Sequence, residues 1–120
     1  MIFAGSLARP QDAFAAADVL ILPSRTEGIP AVLIEAAFSE LPVVATTVGG
    51  VPQIVADTRT GILVDSAEPA ALRGAIHAAL AGGKQMGRAA RAFCLERFEI
   101  GVIADRWDGL LAGLGAWDPA

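Results

Sequence analysis

Two carboxylates, Glu27 and Glu35, are the residues of this chain whose type and spacing best suit chemistry. Between them lie Gly28, Ile29, Pro30, Ala31, Val32 and Leu33. A carboxylate accepts two hydrogen bonds from neighbouring hydroxyls, so each glutamate suits a sugar or ribose diol. If a helix opens at Ala31, the N–H groups of Ala31, Val32 and Leu33 have no acceptor inside it. They then point at whatever sits beyond the helix, and the helix dipole favours a phosphate there. A hydroxyl binder, an anion site and a second hydroxyl binder in a row trace the outline of a nucleotide sugar. A plainer alternative stays open on these residues alone: Glu27 as a solvated loop residue and Glu35 as a surface residue of a helix.

Such a segment works only if the fold holds it at a ligand-binding edge. The run Val19, Leu20, Ile21 and Leu22 is continuous and β-like and stops at Pro23, as expected of a strand buried on both faces. Residues 31–39 read as a helix, and Pro42 introduces a strand over residues 43–46. Gly49 and Gly50 break that strand, and a short helix over 51–56 tolerates Pro52 in its first turn. Residues 61–64 read as the last strand, residues 2–4 as the end of an earlier one, and residues 12–17 as a short helix. Alternation of short apolar runs with helical periodicity is the pattern of an α/β fold with a parallel sheet. The candidate segment then leaves the carboxyl end of a strand, where open α/β sheets bind ligands.

The rest is helical. Leu72, Ala75, Ile76, Ala79 and Leu80 follow the spacing of one helix face, with a stop expected at Gly82 and Gly83. Met86, Ala89, Ala90, Phe93 and Cys94 form a second stripe. Ile103, Trp107, Leu110, Leu111 and Leu114 form a third, which predicts Trp107 in a core and leaves Trp117 in a tail. There is no internal repeat and no low-complexity linker.

With 120 residues the chain supports one domain and one modest core. Its formal charge of −4 argues against nucleic acid as a partner. Cys94, the only cysteine, cannot form an internal disulfide, and no Cys/His cluster has metal-ligand spacing, so neither a metal nor a cofactor is expected. The N-terminus lacks the pattern of a signal peptide and no apolar run spans a membrane, so a soluble, cytoplasmic protein is expected. His77 reads as a polar-face residue, Lys84, Arg88 and Arg91 as a solvated basic face, and Cys94 as buried and inert. Arg25, beside Glu27, is the basic residue nearest to a phosphate in sequence.

The run Ala17-Asp18-Val19-Leu20-Ile21-Leu22-Pro23-Ser24, then Glu27-Gly28 and Glu35-Ala36, resembles the C-terminal domain of family-4 retaining glycosyltransferases. Pro42-Val43-Val44-Ala45-Thr46, Gly49-Gly50 and Thr60-Gly61 extend the likeness over nearly the whole chain. Those enzymes have the GT-B fold, two Rossmann-like domains facing a cleft. The resemblance implies that Glu27 lies against the donor sugar in a catalytic or positioning role and that Glu35 holds the ribose hydroxyls. It places Gly28, Ile29 and Pro30 in the turn approaching the sugar, and Ala31, Val32 and Leu33 at the distal phosphate. It also implies that residues 46–50, with Gly49 and Gly50, form a loop that helps shape the nucleotide pocket. The resemblance further implies a nucleotide diphosphate sugar donor, such as a UDP- or GDP-linked hexose, and no bound metal.

The departures carry expectations too. The N-terminal acceptor domain and the first strands of the donor domain are missing, so residues 1–120 read as an incomplete donor-binding domain, inactive alone. A stand-alone nucleotide-sugar-binding module or an inactive gene fragment are the alternatives. Gln53 stands where the family commonly has Glu. Without the first strands, residues 19–22 become a sheet edge with unpaired backbone groups, which predicts a homo-oligomer through that edge.

Overall fold

A computed structural model describes residues 1–115. The four residues of β2 (Val43–Thr46) are all buried, which puts this β-branched, apolar run at the centre of the sheet. On its two sides run β1 (Leu20–Leu22) and β3 (Ile62–Val64), both parallel to it. Leu20 faces Val43 and Leu22 faces Ala45 on one side; Val44 faces Ile62 and Thr46 faces Val64 on the other. The helices are α1 (Pro10–Ala16), α2 (Ala31–Phe38), α3 (Val51–Ile54), α4 (Pro69–Phe98) and α5 (Ile100–Gly113). The fold is the expected α/β layer with a parallel sheet and flanking helices, and its described sheet has three strands.

Side-chain alternation along β2 splits the interior in two. Val43 and Ala45 face a core built from Leu33, Ala36 and Ala37 of α2, Val51 and Ile54 of α3, and Ala90 and Cys94. Val44 faces the other way, onto Ala75, Ala79 and Met86. Both cores therefore draw on α4: Ala75, Ala79 and Met86 serve one face of the sheet, and Ala90 and Cys94, further along, the other. What allows this is Gly83, at φ 45° and ψ −134°, a backbone conformation essentially closed to other residues. The helical backbone breaks at Gly83, where two helices meet, as the expected stop at Gly82 and Gly83 requires.

The end of α2 is secured in ways that local pattern does not announce. Glu40 takes a positive φ of 56°, and its N–H and that of Leu41 bond to the carbonyls of Ala37 and Ala36 at 3.0 Å. This is the usual closing turn of a helix, with glutamate in the seat glycine normally takes. Arg91 donates to the Phe38 carbonyl at 2.9 Å, so one member of the expected solvated basic face instead caps α2.

Three further expectations are corrected. Residues 2–4 form no strand; Ile2 and Phe3 are exposed and pair with nothing, and a three-residue segment has no stability without a ladder. β1 is not buried on both faces: Leu20 and Leu22 pack toward the α2 side, but Ile21, paired with Val44 on the other face, is exposed, because only β2 flanks the strand. Trp107 lies outside any core, 57% exposed, and α5 has no buried residue. Of its apolar stripe, Ile103 and Leu111 are half-buried, while Trp107, Leu110 and Leu114 are exposed. Trp117 lies outside the described residues.

Candidate functional site

The site is assembled where the chain leaves β1. Thr46, the last residue of β2 and 3% exposed, turns its hydroxyl toward the neighbouring strand's exit. Its Oγ1 donates to the Ser24 carbonyl at 2.5 Å and lies 3.4 Å from the Leu22 carbonyl. Ser24 Oγ in turn donates to Glu27 Oε1 at 2.6 Å. Glu27 is thereby half-buried and tied, through one hydroxyl, to the carboxyl end of the sheet. The solvated-loop alternative for Glu27 does not describe this geometry.

Gly49 and Gly50 brace the same turn from the other strand. Gly50 N–H donates to the Gly28 carbonyl at 2.7 Å. Gly49 has φ +52°, and a Cβ there would stand 1.8 Å from the Glu27 carbonyl oxygen. At Gly50 a Cβ would meet Ile29 Cδ1 at 2.2 Å and the Gly28 oxygen at 2.6 Å. The two glycines are therefore required by backbone-to-backbone contact with residues 27–29. What they touch in this structure is the glutamate's loop.

Pro30 precedes α2 and is buried, with extended backbone and no side-chain cap on the helix. Of the three amides expected to point outward, that of Leu33 does not: it donates to the Pro30 carbonyl at 3.1 Å, and its side chain is 1% exposed in the core. Ala31 and Val32 sit in the first turn, nearer the surface. Glu35 follows on the exposed side of α2. Along the chain the order is a carboxylate bonded to Ser24, the N-terminus of α2 and an exposed carboxylate.

Beside this constellation a cavity of about 370 Å³ opens across the carboxyl ends of all three strands. Ser24, Arg25, Thr46, Asp65 and Glu68 line it, so Arg25 does face the same end of the sheet as Glu27. Sequence reasoning missed Asp65 and Glu68; their position just after β3 was the available signal. No group of three metal-ligating side chains lies together among the described residues. His77 is exposed on α4. Cys94 is fully buried, its Sγ 3.8 Å from the Ile54 carbonyl; burial pushes the thiol pKa up, with Arg97 partly opposing. No described helix is long and apolar enough to cross a membrane.

Over residues 1–82 the sequence matches the family described as Glycosyl transferases group 1. The chain belongs to that family. It has the fold of the C-terminal domain of these GT-B enzymes. The D-inositol 3-phosphate glycosyltransferase of Segniliparus rotundus is 42% identical over 106 residues, 86% of this chain and 23% of that protein. Sucrose-phosphate synthase from Thermosynechococcus elongatus superposes with a TM-score of 0.79 at 33% identity, covering 87% of this chain and 27% of that one. Anabaena HepE in complex with UDP superposes at 0.78 with 25% identity, covering 84% and 29%, and the same protein has been solved with UDP-glucose. The chain thus spans less than a third of each of these glycosyltransferases.

Proposed function

We propose that this chain is the donor-binding part of a retaining glycosyltransferase that uses a UDP- or GDP-linked hexose and transfers no sugar by itself. The observation carrying the proposal is Glu27, fixed by Ser24 at the carboxyl end of a parallel sheet, followed at once by the N-terminus of α2 and by exposed Glu35. A nucleotide sugar laid along that line sets its hexose against Glu27, its distal phosphate at the Ala31 and Val32 amides, and its ribose diol at Glu35. The leaving diphosphate gains charge as the glycosidic bond breaks, and the α2 dipole and Arg25 stabilise it there. HepE, solved with UDP and with UDP-glucose, supports a uridine nucleotide over a guanosine one.

Transfer needs a second wall to hold the acceptor, since positioning two substrates is most of such catalysis. No metal takes part in this reading, and the protein acts in the cytoplasm. The open edge of β1, with Ile21 exposed, is covered by a second copy of the chain. Calorimetry of the purified chain against UDP, GDP, ADP and UDP-glucose tests the central claim. Binding of UDP and UDP-glucose at micromolar to millimolar concentration is expected, and binding of none of the four overturns it.

A further inference from the structure

We propose that Ser24 and Thr46 are positioning residues that hold the Glu27 carboxylate in one rotamer for the donor sugar. The proposal rests on the donor-binding reading given above and adds to it the device that sets specificity for the hexose. Three observations carry it. Ser24 Oγ donates to Glu27 Oε1 at 2.6 Å, the length of a charge-assisted O–H to carboxylate bond. Thr46 Oγ1 donates to the carbonyl of that same serine at 2.5 Å, and Thr46 is almost wholly buried, so the serine's backbone is anchored to the central strand. Gly50 N–H holds the Gly28 carbonyl at 2.7 Å, fixing the chain just beyond the glutamate.

A free glutamate side chain samples many rotamers, and ordering it on binding costs affinity. Here that ordering is built in before the ligand arrives. With Oε1 occupied by Ser24, Oε2 is the oxygen left to accept from a ligand. A single acceptor oxygen in a fixed place reads one hydroxyl of a hexose, whereas a mobile carboxylate reads any. Thr46 acts one step further back: without its hydroxyl the Ser24 carbonyl, part-buried, loses its partner and the serine is free to shift.

The experiment uses the whole chain and the variants Ser24→Ala, Ser24→Thr, Thr46→Val and Thr46→Ser. UDP and UDP-glucose are the probes, and thermal melts confirm that each variant is folded. Ser24→Ala should weaken UDP-glucose about tenfold, the worth of a hydrogen bond to a charged group, and leave UDP unchanged. Thr46→Val should act in the same direction by roughly threefold to tenfold. Ser24→Thr and Thr46→Ser, which keep the hydroxyls, should restore UDP-glucose binding. Equal loss of both probes in Ser24→Ala, or no loss of either, overturns the proposal. A second measurement needs no ligand: ¹³C relaxation of the Glu27 methylenes should show rotamer averaging in Ser24→Ala and Thr46→Val, and order in the wild type. If the wild type binds neither probe, the donor reading falls and this measurement alone decides the positioning. A Glu27 side chain as ordered in Ser24→Ala as in the wild type then overturns it.

Discussion

Glu35→Ala should remove nearly all nucleotide binding, because a ribose diol loses two hydrogen bonds to a charged acceptor, roughly 2–4 kcal/mol. On the donor-binding proposal, in which the Glu27 carboxylate meets only the hexose, Glu27→Ala should spare UDP and weaken UDP-glucose. Calorimetric titration of both variants with both ligands separates the two roles; parallel losses would show that the glutamates do not divide the ligand between them. Cys94 gives a pH test of the core. Its thiol pKa is raised in the folded protein above the ordinary 9.0. The folded state therefore keeps a proton that the unfolded chain releases, and the stability tied to this thiol is full below pH 9.0 and lost as the pH rises through the folded pKa. Cys94→Ala should flatten the alkaline side of a urea-midpoint profile against pH. Both glutamates stood out by type and spacing, and those alone left the plainer surface reading open. The Ser24 bond was not legible, because nothing in sequence tells a serine three residues upstream from any other loop serine. The Leu33 amide was misjudged for a related reason: the first-turn rule counts unpaired donors but cannot see that Pro30 curls its carbonyl back to take one.

At the scale of elements, the end of α2 offers a gain in stability. Glu40 occupies a left-handed position at φ 56°, which costs an L-residue about 1–2 kcal/mol relative to glycine. Glu40 is exposed, on the turn into β2 and thus at the opposite end of the sheet from Glu27. Glu40→Gly should raise the unfolding free energy by about 1 kcal/mol, after the entropy glycine adds to the unfolded chain, and leave UDP binding unchanged. A fall in the chemical denaturation midpoint would contradict this. The neighbouring constraint runs the other way: a Cβ at Gly87 would stand 1.9 Å from the Glu40 carbonyl, so α4 accepts no side chain there. Strands 43–46 and 62–64 were readable because apolar runs bounded by Gly, Pro and Thr leave few other readings. The α5 stripe was readable as a stripe and misread as a core. Periodicity reports which face of a helix is apolar and carries no information on whether anything covers it. The tie from Arg91 to Phe38 joins residues 53 apart, and no local pattern reports it.

For the whole molecule, the open side of β1 is where the proposed pairing of two copies is tested. Leu20, Ile21 and Leu22 carry apolar side chains, and no strand lies beyond them among the described residues. If a second copy covers that edge, light scattering should give a dimer mass that falls to the monomer value on dilution. Ile21→Lys, a charge in the middle of the edge, should shift the equilibrium to monomer without unfolding the protein. A concentration-independent monomer in the wild type would refute the pairing. The α4 kink has a consequence for how the fold comes apart. One continuous run of chain closes both sides of the sheet, with Ala75 and Ala79 on one side of Gly83 and Ala90 and Cys94 on the other. Neither layer can open without pulling on the backbone that seals its counterpart. Amide protons on the two arms of α4 should therefore exchange with deuterium at one common opening free energy, as a single cooperative unit, while those of α5, which buries nothing, exchange from local fraying.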